Sequence, residues 1–190
     1  MDTRAALMAS LQAYQPFNEQ EAHDRELILR CLHRFDDIFT RENPLAHVTA
    51  SAWVTNAAHN RILMAYHRIY QSWSWLGGHA DGETDLRAVA LREVREESGL
   101  DQLRLIFPDI FSLEALTVDG HVKHGRYVSS HLHLNITYLI EADDAIPPQI
   151  KPDENSAVAW FEPEKAVSAS GEPWFRAHIY PKLNEKLALL

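Results

Sequence analysis

Gly77-Gly78-His79-Ala80-Asp81-Gly82-Glu83-Thr84-Asp85-Leu86-Arg87-Ala88-Val89-Ala90-Leu91-Arg92-Glu93-Val94-Arg95-Glu96-Glu97-Ser98-Gly99-Leu100 reads as a glycine-rich turn running into a helix. Thr84 is placed to cap the helix, with Asp85 in its first turn and Gly99 as the residue that ends it. Leu86, Ala90, Leu91 and Val94 recur at helical spacing and predict a buried stripe. Glu93, Glu96 and Glu97 fall at i, i+3 and i+4, so one face of the helix carries all three carboxylates.

That face is unfavourable on its own. Three carboxylates repel one another, and Glu96 and Glu97 sit in the last turn, where the helix dipole favours cations. Arg92 and Arg95 offset part of the repulsion. A divalent cation would resolve the rest, since magnesium takes hard oxygen ligands at about 2.0–2.1 Å. A solvated charged face is the plainer reading. The glycine turn just before the helix favours a site. Gly77 and Gly78 carry no side chain, so their carbonyls can approach a metal closely.

The segment Arg92-Glu93-Val94-Arg95-Glu96-Glu97-Ser98-Gly99-Leu100 resembles the second half of the Nudix box, and counting back puts the box's opening glycine at Gly78. The early glutamate of the box falls on Thr84, with Glu83 one place too soon. The resemblance implies an α/β fold, a Nudix-type α/β/α sandwich with a mixed central sheet. It implies a Mg2+-dependent hydrolase, with Mn2+ as a substitute ion, that cuts the diphosphate of a nucleoside diphosphate linked to another moiety. It implies Glu93, Glu96 and Glu97 as metal ligands, one of them able to act as base; Gly78 is a further candidate metal contact on the ground of its bare backbone alone. Arg92 is expected to orient a glutamate. Glu154 is a second candidate base, in a loop where some family members carry a glutamate that reaches the metals; an idle loop acid is the alternative.

Length and charge narrow the class. The 190 residues carry a net charge of −9 and are 46% hydrophobic, enough chain for one sizeable core. The negative balance disfavours duplex nucleic acid and anionic membrane as partners and leaves a nucleotide-like small molecule open, because a metal supplies positive charge locally. One cysteine, Cys31, permits no intrachain disulfide. With no apolar run of spanning length, a cytoplasmic protein is the expectation.

Residues 1–43 read as a helical extension packed on the domain. Leu7, Leu11 and Tyr14 recur before Pro16, and Leu27, Ile28, Cys31, Leu32 and Phe35 after it. A homodimer contact or a substrate lid is the other reading of these helices. Asn43-Pro44 marks the boundary to a hydrolase domain over 44–190. Strands are expected over 46–58, with Val48, Ala50, Ala52 and Val54 alternating against polar neighbours, and over 61–73, with a turn at 56–60. Strand pieces interrupted by Pro108 follow over 103–119, then a turn at Asp119-Gly120 and a loop or hairpin tip to Tyr127. Residues 130–141 are the clearest strand, with one polar and one apolar face. A proline-rich loop over 145–153, a strand at 157–161, a small helix from Pro163 and a final helix from Pro173 complete the chain. Leu183, Leu187 and Leu190 are expected to face inward.

His131 and His133 share a strand face, and His79, His121 and His124 lie in nearby loops by sequence. Their spacing matches no recognised zinc pattern. Substrate contact by His79, His131 or His133 is the better expectation, since an imidazole can donate to phosphate or a base edge. Tyr66, Trp73, Trp75 and Phe111 could stack on a nucleobase, although aromatic residues on strands more often belong to the core. Two other functions fit the same fold. A non-catalytic nucleotide sensor would have lost the helix carboxylates, which are present. An isoprenoid diphosphate isomerase would use a cysteine near the pocket, whereas Cys31 lies in the N-terminal helices.

Overall fold

Asn18 opens the second helix of the chain by accepting a hydrogen bond from the Glu21 amide, which satisfies a donor the helix itself leaves unpaired. In the computed structural model, which describes residues 3–69, 71–123 and 125–190, this helix is α2 (Glu19–Arg34), preceded by α1 (Thr3–Ala13). Contacts divide the chain into two units. One comprises Met1–Ala50, Gly78–Val89 and Asp109–Thr137, and the other Ser51–Gly77, Ala90–Pro108 and Tyr138–Leu190. Strands β1 (Ala46–Thr55) and β9 (His131–Ala142) and helix α3 (Leu86–Ser98) each begin in the first unit and end in the second.

In the first unit, Leu7 and Leu11 of α1 and Ile28, Cys31 and Leu32 of α2 are buried as their spacing predicts, while Leu27 stays exposed. The α2 helix lies on strand β6 (Ser112–Val118) and serves its backbone. Gln20 donates to the Leu113 carbonyl and Asp24 accepts from the Ala115 amide. This covers strand polar groups that would otherwise form an open edge. The other side of β6 pairs antiparallel with β9, from Ser112 opposite Thr137 to Val118 opposite His131. Strands β7 (His121–Lys123) and β8 (Arg126–Val128) form the hairpin expected after Asp119-Gly120. Strand β4 (Leu76–His79) pairs with β1, and the Ala80 amide donates to the Val48 carbonyl just beyond it.

The apolar and polar positions that alternate along β1 are covered alike, and all ten are buried. The polar positions of β9 are covered as well, and Asn135 and Thr137 are buried. A buried polar face must satisfy itself. Glu114 accepts from Asn135 Nδ2 at 2.9 Å and from Thr137 Oγ1 at 3.0 Å, and Thr49 donates to Asn135 at 3.0 Å. Ser112 bonds both Glu114 and Glu21, and Tyr14 donates to Glu21 at 2.6 Å.

In the second unit, β2 (Ile62–His67) lies between the end of β1 and β10 (Asn155–Phe161), antiparallel to both. The expected strand over 61–73 breaks into β2 and β3 (Ser72–Ser74), which folds back on β2. The short strand β5 (Leu103–Leu105) pairs with the end of β9. Helix α4 (Pro163–Ala169) follows β10 as predicted. The expected final helix is a π-helical turn (Phe175–Ile179) followed by α5 (Tyr180–Leu187). Pro181 offers no amide to the helical ladder, and the Tyr180 amide reaches back five residues to the Phe175 carbonyl. Leu183 and Leu187 are buried, but Leu190 lies past the helix and is 64% exposed. Trp53 stacks on Tyr180 with ring centroids 5.3 Å apart.

Candidate active site

The helix that carries the three carboxylates is capped one residue later than its sequence predicts. Asp85 Oδ1 accepts from the Arg87 and Ala88 amides, while Glu83 Oε1 takes the Thr84 and Asp85 amides at 2.7 and 2.9 Å. Glu83 therefore holds the turn. Leu86, Ala90 and Val94 are buried with Val89, which replaces half-buried Leu91 in the stripe. Gly99 ends the helix with φ at +69°, its amide on the Arg95 carbonyl at 2.8 Å.

The second unit brings Glu93, Glu96, Glu97 and Glu154 into one electrostatic group. Glu97 is 4% exposed, and burial raises its carboxyl well above the usual range, with repulsion from Glu93 and Glu154 adding to the effect. A backbone hydrogen bond from Gly77 and the charge of Lys151 pull the other way. Burial also raises Glu93, against the hydrogen bond and charge of Arg92. Arg92 lies 2.8 Å from Glu93 and 3.7 Å from Glu96. Gly78 lies in β4, next in sequence to the Gly77 that serves Glu97.

Two residues that sequence reasoning passed over complete this group. Lys151, from the proline-rich loop, sets its ammonium 2.9 Å from Glu96 and 3.0 Å from Glu154. Asn155, 1% exposed, donates to the Glu97 carbonyl at 2.9 Å and accepts from the Lys151 amide at 3.1 Å. The Gln149 amide reaches the Ser98 carbonyl at 2.7 Å. The loop is thus fastened to the C-terminal turn of α3 by its backbone. The spacing of Lys151 and Glu154, three apart, is the one local signal of this arrangement.

The donor set suits a hard divalent cation. Its groups are carboxylates, and the buried Glu97 is one whose ionisation Glu93 and Glu154 oppose, a repulsion that a hard cation would relieve.

In the first unit, His79, His131 and His133 come together, and His47 of β1 joins them. Ring centroids of His47 lie 5.1, 4.8 and 4.9 Å from those of His79, His131 and His133. His121 is farther out, 6.4 Å from His131. His124 lies outside the described residues. The aromatic residues weighed as base-stacking partners pack on other rings. Trp73 meets Tyr66 and Phe161 edge-on, Trp75 meets Phe175 and Tyr180, and Phe111 is buried.

A family model described as the NUDIX domain matches residues 45–183. Among solved structures, a NUDIX-family hydrolase from Clostridium perfringens is 19% identical with a TM-score of 0.55, covering 75% of this chain and 97% of its own. An Ap4A hydrolase of C. elegans, in a binary complex, is 21% identical with a TM-score of 0.54, covering 75% and 98%. The dihydroneopterin triphosphate pyrophosphohydrolase of E. coli is 20% identical with a TM-score of 0.54, covering 70% and 92%. No curated protein matches the sequence. The chain belongs to the Nudix family. It has the family's α/β/α sandwich fold with a mixed sheet, and it is a Nudix hydrolase, an enzyme of acid anhydrides in phosphorus-containing compounds.

Proposed function

We propose that the protein is a Mg2+-dependent nucleotide pyrophosphohydrolase, cleaving the diphosphate bond of a nucleoside diphosphate linked to another moiety. The observation that carries this reading is the buried Glu97 carboxylate held beside Glu93 and Glu154 against their mutual repulsion. Glu93, Glu96 and Glu97 would hold the ion, with the Gly78 carbonyl as a further contact and Mn2+ as a substitute. Held there, the ion would supply charge neutralisation for phosphate oxygens and lower the pKa of an attacking water.

The chain's own groups supply the rest. Arg92 fixes the Glu93 carboxylate from 2.8 Å. Glu154, half-buried and paired with Lys151, would take a proton from water once that pairing loosens. The substrate is a nucleotide-like small molecule, and the site of action is the cytoplasm. Two structural neighbours are named for Ap4A and for dihydroneopterin triphosphate, so both compounds belong in the test.

The experiment is a screen of dinucleotide polyphosphates, nucleoside triphosphates, nucleotide sugars and ADP-ribose-type compounds with Mg2+ and a phosphate or pyrophosphatase-coupled readout. At least one class should turn over, EDTA should abolish the activity and Mg2+ should restore it. Glu97→Gln should lower kcat by about 10²–10⁴-fold. Turnover by Glu97→Gln close to that of the unaltered enzyme would refute the assignment.

A further inference from the structure

The four clustered histidines come from three strands. His47 is on β1, His79 on β4, and His131 and His133 on β9. Nε2 of His133 lies 3.3 Å from Nε2 of His79 and 3.3 Å from Nε2 of His131. The ligand nitrogens of His47, His79 and His133 all fall within 4.8 Å of one another. His47 is 5% exposed, and its Nε2 is buried with no hydrogen-bond partner.

The backbone fixes the protons of two of these rings. His47 Nδ1 faces the Asn43 carbonyl at 3.5 Å, and His131 Nδ1 faces the Ser129 carbonyl at 2.8 Å. A carbonyl only accepts, so each of these Nδ1 atoms carries the proton and each Nε2 presents a lone pair. His133 carries at most one hydrogen on its Nε2, which lies 3.3 Å from the Nε2 of both His79 and His131.

A cation among the rings would give the buried Nε2 of His47 and the Nε2 lone pair of His131 a partner. Nitrogens bound to zinc at about 2.0–2.1 Å in a tetrahedron are separated by about 3.3–3.4 Å. Both measured Nε2 pairs stand at 3.3 Å. The carbonyls on Nδ1 of His47 and His131 act as ring-orienting partners, as they do for metal-bound imidazoles. Neutral imidazole selects borderline transition ions, whereas magnesium selects oxygen.

We propose that His47, His79 and His133, with His131 as a fourth ring, form an imidazole site for a zinc-type divalent ion, different in donor chemistry from the glutamate group. An ion held there would fasten β1, β4 and β9 together. This takes the place of direct substrate contact by His79, His131 and His133.

Co2+ is the probe, added to untagged, metal-stripped protein in the presence of excess Mg2+. One equivalent should bind and give the intense visible absorption of tetrahedral Co2+, and Zn2+ should displace it and raise the melting temperature. His133→Asn should lose the signal, whereas Glu97→Gln should keep it. Weak octahedral absorption, or a tetrahedral signal retained by His133→Asn, would overturn the site. Should His133→Asn fail to fold by circular dichroism, His79→Asn, at a half-buried position, should lose the same absorption, and its retention there would equally overturn the site.

Discussion

Lys151 Nζ lies 2.9 Å from Glu96 Oε2, so a loop lysine neutralises part of the acidic last turn of α3. Burial alone would lower the lysine's pKa, but the hydrogen bonds to Glu96 and Glu154 raise it and keep it charged. It occupies the electrostatic role that a divalent ion would take over.

Lys151→Met therefore removes a competitor for those carboxylates. The Mg2+ concentration giving half-maximal activity should fall about 1.4- to fivefold, the ratio matching the roughly 0.2–1 kcal/mol of a solvent-exposed ion pair. The metal-free protein should melt at a lower temperature. An activity titration reads the first effect and calorimetry in EDTA the second. A higher Mg2+ requirement would show that Lys151 helps the ion to bind.

The raised carboxyls of Glu97 and Glu93 set a pH dependence whose sign is fixed. Their folded-state values lie above their unfolded ones, so folding takes up protons at these two groups. Their contribution is most favourable below the unfolded value of about 4.3 and is lost as pH rises through the folded values. In EDTA, the stability of the native protein relative to Glu97→Gln should decline steadily with rising pH above that point. Added Mg2+ should remove the decline. A native-minus-variant difference that is flat with pH would mean that Glu97 is not strained.

Glu114 is 0% exposed and accepts from Asn135, Thr137 and Ser112. Glu114→Ala removes the buried acceptor that Asn135 and Thr137 share, while Ser112 keeps Glu21. Urea denaturation should show a loss of about 3 kcal/mol or more. A loss under about 1 kcal/mol would mean that the neighbours re-pair easily.

A Cβ on Gly99 would stand 3.0 Å from Gln149 Cβ, at a φ of +69°. Gly99→Ala should cost about 1–2 kcal/mol from the backbone conformation, with the crowding in addition. The same variant should lower kcat, because Gln149 leads into the segment that carries Lys151 and Glu154. Unchanged stability would show that the loop yields at no cost.

What the sequence discloses about this molecule is what depends on short range. The period of α3, the placement of Glu93, Glu96 and Glu97 on it, and Gly99 at its end are all readable because helical spacing decides them. Thr84 and Asp85 compete for one cap, and Glu83's bonds to both amides settle the choice, which composition does not show. His47 escapes notice because alternation assigns it to the polar face of β1, and only tertiary covering turns that face inward. Lys151 and Asn155 escape for a related reason. Their partners on α3 lie 55 and 58 positions away, beyond any local pattern.

The Gln149–Asn155 segment also bears on how such enzymes can be re-engineered. Its mooring points and its counter-charge occupy the same seven residues, so they cannot be exchanged separately. A graft from another family member that preserves the glutamate but alters the lysine or the asparagine would deliver that carboxylate on an unmoored, over-acidic tether. Transplants here should succeed or fail as whole cassettes.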